Sequence, residues 1–150
     1  MILVDANLLL YAYHPRASQH QASRQWLESV LSGQEFVRFA WLTLWAFLRI
    51  ATNPRVFEQP LSAPEAEAAV STWLAQPVAG ILDPGERHWE ILARLMAQGQ
   101  TTGPLVMDAV LAAIALEHGA TLCTTDQDFS RFGELKVVNP LAPIRPNPKP

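Results

Sequence analysis

Cysteine is all but missing from this chain: Cys123 stands alone among 150 residues. That excludes an internal disulfide and a zinc site built on several thiolates, and it fits a reducing, cytoplasmic setting. Lysine is scarce, with Lys136 the only one before the C-terminal tail. Long apolar runs are absent: the best candidate, Phe36 to Ile50, is broken by Arg38 and Arg49. It falls short of the ~18–20 apolar residues a bilayer span needs, so no membrane association is expected. Met1-Ile2-Leu3-Val4-Asp5 lacks a basic start and meets a charge after three apolar residues, which does not fit a signal peptide. A positive surplus is lacking as well. Eleven basic residues face 14 acidic ones, for a net charge of −3, so there is no general attraction to nucleic acid. Any nucleic-acid ligand would have to be held locally, with some acids neutralised by bound cations. No internal repeat is visible.

What is present is an apolar content of 49%, enough for one domain with a real core. Met1–Asp5 reads as a buried strand ending in an acid. Helical spacing follows over Asn7–Tyr13 and Ala17–Leu31, then a strand at Phe36–Phe39. A helix over Trp41–Thr52, with Trp41, Leu44, Trp45 and Leu48 on one stripe, stops at Asn53-Pro54. Ser62, with Glu65 three residues on, starts another that runs to about Gln76. Ala79–Leu82 reads as a strand and Glu86–Ala97 as a helix. Leu105–His118 is a strongly apolar helix closed by Gly119. Ala120–Thr124 is a strand, Asp126–Phe132 a helical turn and Lys136–Val138 a last strand. Strands alternating with helices predict an α/β fold with a central parallel sheet, whose ligands bind beyond the carboxyl ends of the strands. We place the domain at residues 1–139 and a proline-rich tail at 140–150, expected to be extended or disordered.

The acids carry the functional signal. Asp5 ends the first strand, with Asn7 two residues on; either residue alone suits a helix cap. Asp108 shares a helical stripe with Ala112 and Leu116, where a carboxylate must be paired, hydrogen-bonded or metal-bound; it also suits the positive end of its helix. Asp126 and Asp128 follow the strand Ala120–Thr124, where a cap and a first-turn charge are again the plainer roles. Together, two strand ends and one helix start offer carboxylates to one edge of the sheet. Carboxylates brought close repel and raise one another's pKa, and a divalent ion removes that penalty. Oxygen ligands with no suitably spaced histidines suit Mg²⁺, or Mn²⁺, better than zinc.

Three segments resemble the PIN-domain family, VapC-type toxins in particular: Val4-Asp5-Ala-Asn7-Leu-Leu-Leu-Tyr11, the run from Asp108 through Gly119 to Leu122, and Thr124-Thr-Asp126-Gln-Asp128-Phe129. Each motif is weak alone; their order and separation are more specific. The resemblance implies a three-layer α/β/α domain, Mg²⁺-dependent endoribonuclease activity, homodimer formation and inhibition by a cognate antitoxin protein. It assigns Asp5, Asp108 and Asp126 to the metal, Asp128 to a supporting acid, and Asn7 and Thr125 to polar positions lining the site. One departure stands out. The family places a glutamate on the helix after the second strand, and Trp41–Thr52 holds no acid; Phe47 stands near the expected position. A single ion is then expected over two.

Arg16, Arg49 and Arg55 are candidates for RNA phosphate contact, against a default of solvated surface charge. The tryptophans are expected in the core or at an interface. His14, His20, His88 and His118 lack metal-ligand spacing. Rival readings are a PIN-like RNA-binding module that has lost catalysis with the missing glutamate, or a receiver or phosphotransferase domain with Asp83 mimicking a phospho-acceptor. The second needs further acids after the first strand, where this chain has Asp5-x-Asn7.

Overall fold

The computed structural model describes residues 1–143; the part of the expected tail at 144–150 lies outside the described residues. β1 (Ile2–Val4) is buried at every position, as befits a strand covered on both faces. It pairs in parallel with β2 (Val37–Phe39) on one side and β4 (Thr121–Cys123) on the other. β3 (Ala79–Ile81) and β5 (Val137–Val138) flank these, giving a five-stranded sheet of order β3-β2-β1-β4-β5 with every pair parallel. The order reverses between β1 and β4, so the connections diverge there and leave a crevice beyond the carboxyl ends of those two strands.

Six helices cover the sheet: α1 (Ala6–Tyr13), α2 (His20–Leu31), α3 (Trp41–Ala51), α4 (Ala63–Leu74), α5 (His88–Gly99) and α6 (Leu105–His118). A 3-10 turn at Gln127–Arg131 joins β4 to β5. Successive strand residues face opposite sides. Ile2, Val4, Val37 and Phe39 pack with α1–α4, while Leu3 and Leu122 pack with α5, α6 and the turn's Phe129. The result is the expected α/β/α sandwich. Among the described residues, no helix is long and apolar enough to cross a membrane.

Local chemistry accounts for the ends. Ser62 and Glu65 form the reciprocal cap expected of α4. Gly119 takes φ 67° to close α6, a left-handed conformation that disfavours a side chain. α2 starts at His20, later than its spacing suggests, because two turns (Ala17 N to His14 O, His20 N to Ala17 O) occupy the segment after Pro15. α5 starts at His88 and runs to Gly99, so both ends fall two residues later than expected. Its entry is held instead by the Glu117 carboxylate, which accepts from the Gly85 amide. The expected stripe on α3 is rotated. Thr43, Leu44, Phe47 and Ala51 are buried, whereas Trp41 and Trp45 are 42% and 62% exposed. The cause is Phe47, whose ring packs edge-on against Trp73 of α4 and Tyr13 of α1. After β5 the chain turns at Asn139–Ala142, and Leu141 packs against the α1–α4 core.

Candidate metal centre

Asp5 leaves the carboxyl end of β1 with its amide held by the Cys123 carbonyl of β4. Its Oδ1 accepts from the Ala6 amide at 2.7 Å and so caps α1. Its Oδ2 accepts from the Thr124 hydroxyl at 2.7 Å. Thr124 is the hub. Its Oγ1 also accepts from Asn7 Nδ2 at 3.2 Å and from the Asp126 amide at 3.0 Å. One buried hydroxyl thus ties the first strand's acid to the segment carrying the last two. Asp126 Oδ1 in turn accepts from the Asp128 amide at 2.8 Å, which caps the 3-10 turn and fixes the two acids relative to each other. The capping roles that sequence alone favours for Asp5 and Asp126 are therefore real, and they serve to aim the carboxylates.

Asp108 arrives from the other face, in the first turn of α6. Each of Asp108, Asp126 and Asp128 offers a carboxylate oxygen within 4.8 Å of the others. Asp5 stands beside this trio, near enough for its charge to act on Asp108. Burial pushes the Asp5 carboxyl above the ordinary range, with the Thr124 and Ala6 bonds opposing and the charge of Asp126 adding to the rise. Asp108 is pushed up to about 6, first by burial and then by the charges of Asp126, Asp5 and Asp128, with Arg131 opposing. Unit charges at such spacing repel by roughly 1–4 kcal/mol per pair between water-like and protein-surface dielectrics. Asn7 adds a second sign of an incomplete site: its Oδ1 is buried without a hydrogen-bond partner. Hard oxygens, excess negative charge and an orphaned acceptor together fit a divalent cation with retained waters.

Other expected residues fall elsewhere. Thr125 lines a shallow depression beside Thr124 and Asp126, with Ser130 and Asn139. Arg16 pairs with Glu58. Arg49 borders an open groove on α3 with Trp45, Thr52 and Glu67. Arg55 is exposed, its amide held by the Asn53 side chain. Among the described residues the cation that touches the acids is Arg131, which bonds the Asp128 carbonyl. Phe47 is fully buried in the α1–α4 core and brings no polar group to this edge. Asp83 follows the edge strand β3, two strands from β1, and is exposed, so it has no place in a phospho-acceptor cluster.

Sequence reasoning passed over Thr124 and Arg131. Thr124 and Thr125 are indistinguishable by type. Only the register Val4↔Cys123 puts the former beside Asp5, and register is not visible in a three-residue strand. Arg131 carried a usable signal in its spacing three residues after Asp128.

Comparison with known proteins bears on the family and the fold. The family model described as PIN domain matches residues 2–135. The chain is 44% identical over 142 residues to Ribonuclease VapC37 of Mycobacterium tuberculosis, covering 95% of this chain and 99% of that protein. It is 38% identical over 141 residues to Ribonuclease VapC33 of the same organism, covering 94% and 99%. Among solved structures it resembles VapBC2 from Rickettsia felis bound to a DNA fragment from their promoter. That match has a TM-score of 0.68 at 17% identity, over 93% of this chain and 98% of that one.

Proposed function

The chain belongs to the PIN-domain family, and from that premise we propose that it is a Mg²⁺-dependent endoribonuclease, the toxin of a type II toxin–antitoxin pair. The relatives named ribonucleases at 38–44% identity over nearly the whole chain support the substrate. The observation that carries the chemistry is the convergence of Asp108, Asp126 and Asp128 within 4.8 Å, with Asp5 alongside.

In this reading Asp5, Asp108 and Asp126 hold Mg²⁺, with Mn²⁺ as an alternative, and Asp128 supports them. When bound, the ion supplies Lewis acidity toward a phosphodiester and lowers the pKa of coordinated water. The protein's own share is orientation. Thr124 fixes Asp5 and Asn7, Asp126 fixes Asp128, and the orphaned Asn7 Oδ1 is available to accept from a water near the acids. Water attacks the RNA phosphorus in line, leaving a 5′-phosphate and a 3′-hydroxyl. With no acid on α3, one ion is expected rather than two. The working domain is residues 1–139, with Leu141 of the following turn packed back on its core, and the site of action is the cytoplasm. The partners are a second copy of the chain and an antitoxin that blocks the acidic site with a basic side chain.

The test is direct. Purified protein cleaves RNA with Mg²⁺ and stops with chelator; Asp5→Asn, Asp108→Asn and Asp126→Asn each abolish cleavage while circular dichroism stays native. Full activity in all three variants would overturn the site. RNA binding without Mg²⁺-dependent cleavage would favour the binding-module reading, which the acid-free α3 also suits.

A further inference from the structure

We infer that Arg131 is the positioning residue of this centre: its guanidinium clasps the turn bearing Asp126 and Asp128 to the end of α5, and so fixes how far those acids stand from Asp108. The inference rests on the metal-centre reading above. Nε donates to the Asp128 main-chain carbonyl at 3.0 Å, folding the arginine back over its own turn. Nη1 donates to the Gly99 carbonyl at 3.2 Å. Among the described residues, that is the one hydrogen bond joining the segment Asp126–Phe132 to the segment Gly99–Asp108.

Gly99 is shaped for the clasp. A Cβ there would lie 3.3 Å from Arg131 Cδ and 2.9 Å from the Phe132 ring, so a side chain would push the guanidinium away. Beyond Gly99 the chain makes a tight passage into α6, with Gln100 and Gly103 both left-handed at φ 49° and 57°. The Asp108 carboxylate has no hydrogen bond of its own among the described residues, so its place is set by where this passage delivers the helix. Gly99 is also the last residue of α5, whose end carries partial negative charge, and a guanidinium is well matched to it.

Charge and position make opposite forecasts. Arg131 Nη2 lies 3.9 Å from Asp128 Oδ1, an ion pair too long for a hydrogen bond. If its charge alone mattered, removing it would tighten cation binding; if the clasp matters, removing it weakens binding. Lysine keeps the charge but offers one nitrogen where arginine offers Nε and Nη1, in a planar fork, to the two carbonyls. The experiment is a Mn²⁺ titration of full-length protein followed by electron paramagnetic resonance, with RNA cleavage kinetics alongside. Arg131→Lys and Arg131→Gln are both expected to weaken Mn²⁺ about ten-fold or more, the scale on which loss of an outer contact that holds a metal site in place acts. At saturating RNA kcat is expected to fall, with KM little changed. Wild-type Mn²⁺ affinity in the lysine variant, or tighter binding in the glutamine variant, overturns the inference. No Mn²⁺ binding by the wild type, a separate result, overturns the metal-centre reading and the inference with it.

Discussion

At the scale of single residues, the site turns on which of two adjacent threonines faces β1. Thr124→Val should leave Asp5 Oδ2 and Asn7 Nδ2 short of a partner. The expected cost is about 1–3 kcal/mol of stability by urea titration. Cleavage should fall about 10–100-fold, with Thr124→Ser retaining most of it. Thr125→Val, one residue on, should change little. The acids also set a pH dependence. Asp108 sits at about 6 in the folded chain, and Asp5 is raised as well. Both exceed the unfolded value near ~3.9, so protonation favours the folded state. Without metal, the stability that Asp108 contributes is present below about pH 4 and is lost as pH rises through about 6, and Asp5 acts in the same direction. Chelator-treated protein should therefore melt higher at pH 5 than at pH 7, relative to Asp108→Asn, and Mg²⁺ should restore the difference at pH 7. The aspartates themselves were legible in the sequence, because a carboxylate at a strand end or on an apolar stripe asks for an explanation. Their hydrogen-bond partners were not, because these depend on register.

Elements were legible to the extent that their signals were local. The apolar run of α6 and its glycine stop gave its bounds directly, and the serine cap gave the start of α4. Ser62→Ala should cost about 1 kcal/mol in urea denaturation without touching cleavage, since the cap is remote from the acids. What the spacing did not decide was the buried face of α3. Periodicity grouped Trp41 and Trp45 with Leu44 and Leu48 and left open whether the tryptophans face the core or an interface; the ring that packs against α1 and α4 is that of Phe47. A corollary concerns the missing family glutamate. Restoring a carboxylate at Phe47 should not build a second metal ligand. Phe47→Glu removes a fully buried ring and places a charge in the α1–α4 core, so it should destabilise by more than about 3 kcal/mol in urea and give no gain in activity.

The whole molecule leaves large aromatic surface in water. Trp45 on α3 is 62% exposed and Trp89 on α5 is 74% exposed, more than a lone monomer usually shows for this residue. With a second copy as the proposed partner, Trp45→Glu should shift the protein to monomer in sedimentation velocity, and an unchanged dimer would take Trp45 out of that interface. The parallel architecture followed from the alternation of strands and helices. The strand order did not, because three-residue strands carry no pairing information.

That strand order has a consequence in time. β1 is made well before its neighbour β4, whose last residue is Cys123, and the acids that Asp5 must meet lie further on at Asp126 and Asp128. A growing polypeptide that stops short of Thr124 carries only Asp5 and Asp108 of the four acids, and Asp5 then has the Ala6 amide but not the Thr124 hydroxyl to hold it. The acidic edge therefore cannot close until synthesis has passed Asp128, so the proposed metal centre forms late in the making of this domain.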